Sequence, residues 1–88
     1  MGEKLWVLTT RYNLYDQQGE YFLAAWLMKP APEWVQRVVE QERRLREGEL
    51  DFIMSGGGRQ DGEQQWFSLT QVKPGQTLKE AWRAKRGR

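Results

Sequence analysis

Eighty-eight residues with a formal net charge of +2 fit one small domain, and a chain this short buries only a modest share of its surface. It has neither cysteine nor histidine, so disulfides, thiol nucleophiles, Ser-His-Asp triads and histidine-bearing zinc sites are all excluded. Residues 79–88 carry +4 and the rest −2, so the body is mildly acidic and a uniformly basic nucleic-acid face is not indicated.

No long apolar run follows Met1, which argues against a signal peptide, and no stretch is long enough to span a bilayer. The expected location is cytoplasmic, with no membrane partner. Small domains lean on disulfides, metals or oligomerisation, and here oligomerisation is the staple left.

Leu5 to Tyr12 is predicted as a strand, with Leu5 and Val7 on one side and Trp6, Leu8 and Tyr12 on the other. Tyr21 to Met28 is predicted as a second strand, in which Tyr21, Leu23, Ala25 and Leu27 oppose Phe22, Ala24, Trp26 and Met28. Neither shows the alternation of a sheet with one wet face. The linking segment 13–19 is rich in turn formers, so the pair reads as an antiparallel hairpin with a long loop.

Pro32 suits the first turn of a helix expected over 33–47 and closed by Gly48. Trp34, Val35, Val38, Val39 and Leu45 form its inner stripe. Leu50 to Met54 is predicted as a third strand, segment 55–63 as a loop, and Gln65 to Val72 as a fourth strand. Thr77 and Glu80 have capping-box spacing, so a last short helix starts there with Leu78, Ala81 and Trp82 inward. The expected fold is α+β, ββαββα. A four-stranded, mainly antiparallel sheet carries one long helix on one face, with a short C-terminal helix. Residues 1–82 form the single domain and 83–88 a basic, solvated tail.

That helix covers one sheet face. The other face would present Trp6, Leu8, Phe22, Trp26 and Met28, and an apolar patch of that kind marks an interface, here of a homodimer or higher homo-oligomer.

Two loops attract attention as ligand sites. Arg11, Tyr12, Asn13, Tyr15, Asp16 and Gln17 crowd a guanidinium, phenols, amides and a carboxylate into one segment. Such groups can clamp phosphate, stack on a ring and read polar edges; they can equally cap a hairpin loop. In Ser55-Gly56-Gly57-Gly58-Arg59, consecutive glycines can offer backbone N–H groups to an anion. No Gly-Lys-Ser/Thr follows, so this is not a Walker motif, and a hairpin tip is the plain alternative. Gly57, Gly58 and Arg59 are the candidates there, with Trp66 nearby as the stacking platform. Asp61 and Glu63 read as a solvated hairpin tip rather than a metal-nuclease pair. No catalytic residue, metal or cofactor is assigned, and the chain reads as a non-enzyme, with catalysis by carboxylates alone as the alternative left open.

The run Tyr-Asn-x-Tyr-Asp-Gln-x-Gly-x-Tyr-Phe at 12–22, then Lys29-Pro30, Gly-Gly-Gly-Arg at 56–59 and Trp66, resembles a group of small uncharacterised proteins in bacterial and phage genomes. The resemblance brings no established activity; it implies a phage or mobile-element context, hence a host bacterial cytoplasm, where small proteins without His or Cys are often counter-defence factors. The expected function is therefore a binding module that sequesters a nucleotide-derived immune signal. The alternative is an anti-CRISPR-like inhibitor of a host defence protein, and a third is a weak nucleic-acid binder acting through its tail.

Overall fold

A computed structural model describes residues 4–12, 19–59, 64–73 and 75–81. Strands β1 (Leu5–Tyr12) and β2 (Glu20–Trp26) are followed by helices α1 (Pro32–Val39) and α2 (Glu49–Met54), then by strand β3 (Gln65–Val72). Residues 78–81 add a final helical turn. The three strands form one antiparallel sheet in the order β2-β1-β3. The class is α+β, as the sequence suggests, but among the described residues the sheet has three strands rather than four.

The segment Leu50 to Met54, expected as a strand, is helical instead. A short apolar run carries no decisive period, and its flanks settle the matter. Glu49 and Asp51 sit in the first turn, where acids favour the helix dipole. At the other end Gly57 N–H bonds Phe52 O at 2.9 Å and Gly56 N–H bonds Ile53 O at 2.9 Å. Those are the paired bonds of a Schellman cap, and Gly56 supplies the positive φ (128°) that such a cap demands. The first two glycines of the triplet thus end a helix.

The long helix expected over 33–47 stops at Val39. Its last turn tightens into i−3 bonds, Gln41 N–H to Val38 O at 3.2 Å and Glu42 N–H to Val39 O at 2.8 Å. Beyond Val39 the apolar stripe meets Glu42 and Arg43, so a continued helix would have buried charge. The chain turns there, and Arg43 folds in to meet Glu49. Trp34, expected in the core, is 46% exposed at the first turn of α1.

Leu8, Val35, Val39, Ile53, Phe67 and Leu69 make the main core, with Trp6, Leu23 and Trp26 packed against it. The helices therefore cover the face carrying Trp6, Leu8 and Trp26. Leu8 is wholly buried, which removes it from the expected interface, and Trp6 and Trp26 are half-buried rather than displayed.

A β-bulge explains the exchange. Leu8 pairs with Ala24 but Thr9 pairs with Phe22, leaving Leu23 as the extra residue. Past that point the strand changes parity. Ala24 and Trp26 share the helix side with Leu23 and Tyr21, while Phe22 is left 66% exposed on the other face. Val7, Val72 and Ala81 form a small second cluster with Leu78 on that other face. The C-terminal turn covers one part of it and leaves Phe22 open. Among the described residues, no helix is long and apolar enough to cross a membrane.

Candidate functional site

The ends of β1 and the starts of β2 and β3 meet at one edge of the sheet. Arg11 pairs with Glu20 on one side and with Trp66 on the other, while Tyr12 pairs with Gln65. The two candidate segments, 11–17 and 55–59, therefore bring Arg11 and Arg59 to the same end of the sheet. Cross-strand partners share a face, so Arg11, Glu20 and Trp66 form a row. Thr9, Phe22 and Ser68 form the row beneath it.

Arg59 completes the row. Its guanidinium carbon lies 5.3 Å from the centre of the Trp66 ring, within cation–π range. Arg59 is exposed, and no carboxylate among the described residues pairs with it. Arg11 is different. Its Nε lies 3.1 Å from Glu20 Oε1, so part of its charge is already offset.

Glu20 itself is held from two sides. The Thr9 hydroxyl donates to its Oε2 in a short hydrogen bond, and Thr9 is wholly buried. Oε1 accepts no hydrogen bond among the described residues, so its contact with Arg11 is charge proximity without good bond geometry. Burial raises the Glu20 carboxyl above its ordinary value, against the opposing pull of Thr9 and Arg11. Neither Thr9 nor Glu20 figured among the sequence candidates. The signal was available in the pairing of Arg11 with an acid on the facing strand, but it needed the register.

Tyr12 points to the opposite side. Its hydroxyl donates to Glu42 Oε1 at 3.0 Å and its ring meets Tyr21 edge-on at 5.7 Å. Burial and the Glu42 contact both push the phenol's pKa up. Tyr12 thus tethers the turn after α1 to the hairpin, and it does not share a face with Arg11. Asn13, Tyr15, Asp16 and Gln17 lie outside the described residues.

The glycine segment is committed to backbone work. Gly58 N–H donates to Phe67 O at 2.9 Å, and Gly56 O accepts from Leu69 N–H at 3.1 Å. Gly57 forms a single bridge to Ser68. All three glycine N–H groups therefore meet carbonyls, so the anion cradle expected of Gly57 and Gly58 is not available in this arrangement. The segment instead covers the outer edge of β3. A side chain on Gly57 would place its Cβ 2.2 Å from Phe67 O, which only glycine avoids.

The row can therefore offer an indole, one guanidinium that no described carboxylate pairs and one tempered guanidinium to a flat, negatively charged molecule. It offers no activated nucleophile: the hydroxyl of Thr9 is buried and bonded to Glu20. No group of acids suited to hold a metal occurs among the described residues. Comparison with protein-family models, curated proteins and solved structures returned no match.

Proposed function

We propose that the chain is a non-enzymatic binding module that captures a small ligand of the nucleotide class, combining a flat ring with phosphate, at the Arg11–Trp66–Arg59 end of its sheet. The observation that carries this reading is the placement of Arg59 over the Trp66 ring, with Arg11 directly across the strand pair. A guanidinium over an indole ring provides a platform for a second ring, and the Arg59 and Arg11 guanidinium groups attract its phosphate. Sequestration is the role this suits, and the counter-defence sponge implied by the Tyr-Asn-x-Tyr-Asp-Gln run is the specific form of it.

A ligand that binds only the folded chain raises its melting temperature by mass action. A panel of linear and cyclic nucleotides should therefore contain at least one that raises the melting point. Arg59→Ala should abolish that rise while leaving the unliganded melting point nearly unchanged, because Arg59 is exposed. If no nucleotide moves the melting point, the proposal fails.

A further inference from the structure

The two edges of the sheet are treated differently. The edge of β3 is covered by the chain itself, through the Gly57 bridge and the flanking hydrogen bonds. The outer edge of β2 has no strand beside it among the described residues. Residues 21–28 contain no charged side chain and no proline, so the bulge at Leu23 is what blunts this stretch of the edge.

Exposed apolar bulk gathers on this same side. Among the described residues, Tyr21, Phe22, Leu27 and Met28 are open and lie on β2 or just after it, and Trp34 is open on α1, which packs beside β2. Leu27 is 84% exposed and Met28 64%. Single exposed apolar residues are ordinary, but a run of them along an unpaired edge is an association surface.

We infer that β2 pairs with β2 of a second copy of this chain, antiparallel about a two-fold axis at Trp26. The bulge at Leu23 interrupts regular pairing, so the ladder uses the segment beyond it. With the axis at Trp26, Ala25 of one copy faces Leu27 of the other, and Ala24 faces Met28. Leu27 and Met28 each meet an alanine in both halves of the pair, Trp26 meets its own copy at the axis, and no like charges oppose each other. Leu27 and Met28, a bend in the single chain, extend the strand on pairing.

Symmetry favours a second copy over an unrelated strand. Isologous pairing closes both open edges in one step and yields a six-stranded sheet whose outer edges are the glycine-covered β3 strands. The two-fold axis stands perpendicular to the sheet, so both helical layers fall on one face. This inference uses a surface separate from the Arg11–Trp66–Arg59 row and stands or falls independently of it.

Sedimentation velocity on the full chain at low micromolar concentration tests it. The wild type should sediment as a dimer. The double variant Leu27→Lys, Met28→Lys should weaken dimerisation by more than about tenfold with an unchanged circular dichroism spectrum, since both positions are exposed and like charges would then face the apolar edge. Phe22→Lys, on the other side of the bulge, should leave the dimer in place. A monomeric wild type overturns the inference, including one that captures a foreign strand at this edge. So does a dimer that survives the double lysine variant or dissociates with Phe22→Lys alone.

Discussion

The Arg43 guanidinium grips both carboxylate oxygens of Glu49, at 2.9 and 2.6 Å, and this fork ties the turn after α1 to the start of α2. The same guanidinium donates to Gln65 O at 2.9 Å and lies 5.0 Å from the Phe67 ring centre. Glu49 in turn accepts from Arg46 N–H at 3.0 Å. One buried acid and one arginine thus join the helical layer to the first residue of β3. Removing Arg43 takes the forked contact from the buried Glu49 carboxylate and leaves it the contacts from Arg46. Arg43→Ala should lower stability by about 3 kcal/mol in urea titration. Arg43→Lys should recover only part of it, because an ammonium group cannot make the forked contact or stack flat on Phe67. A lysine variant as stable as wild type would show that the fork contributes little.

The same pair predicts an acid response. Hydrogen bonds from Arg43 hold the Glu49 carboxyl below its ordinary value of 4.5. A depressed folded value means that stability is present above the ordinary carboxylate range and is lost as pH falls through the folded value. Thermal melts between neutral pH and pH 3 should show that loss. Glu49→Gln should be less stable at neutral pH but less sensitive to acid. Equal pH slopes in the two proteins would remove Glu49 from this account.

Glu20 titrates in the opposite sense. Its folded value is raised by burial, so its favourable contribution is present below the ordinary carboxylate range and is lost as pH rises through the folded value. Protonating Glu20 also releases Arg11 from its partner. Glu20→Gln, which keeps an acceptor for Thr9, should therefore strengthen the binding of an anionic ligand at neutral pH. It should also flatten the pH dependence of that binding. Isothermal titration with whichever nucleotide raises the melting point reads both effects, and weaker binding by the variant would refute the role given to Arg11.

The glycines can be ranked. At Gly57 an added Cβ meets Phe67 O at 2.2 Å with φ at 71°, whereas at Gly58 it meets no atom within 4 Å and the penalty is the backbone alone, at φ 122°. Gly57→Ala should lose more than about 3 kcal/mol and Gly58→Ala about 1 to 2 kcal/mol in denaturant titration. The reverse order would mean that the segment does not lie against β3 as described.

Much of this protein could be read from its residues in order. The two N-terminal strands, the last strand and the start of α1 at Pro32 follow from local periodicity and turn chemistry. The capping box at Thr77 and Glu80 is present in both directions, with Thr77 N–H to Glu80 at 3.0 Å and Glu80 N–H to Thr77 at 3.1 Å. Such features need only neighbours within a few residues, so a linear pattern carries them.

Other decisions belonged to tertiary structure. Whether Leu50 to Met54 became strand or helix depended on the Schellman cap and on the β3 edge that the glycines then covered. The end of α1 depended on a partner for Arg43, which lies beyond the end of the helix, and that partner is the carboxylate of Glu49. The side on which Trp26 and Phe22 emerged depended on one extra residue at Leu23, which inverts every side chain beyond it. Composition could establish that both N-terminal strands were apolar on two faces. Only packing could assign one face to the helices and, among the described residues, leave the outer edge of β2 without a neighbouring strand.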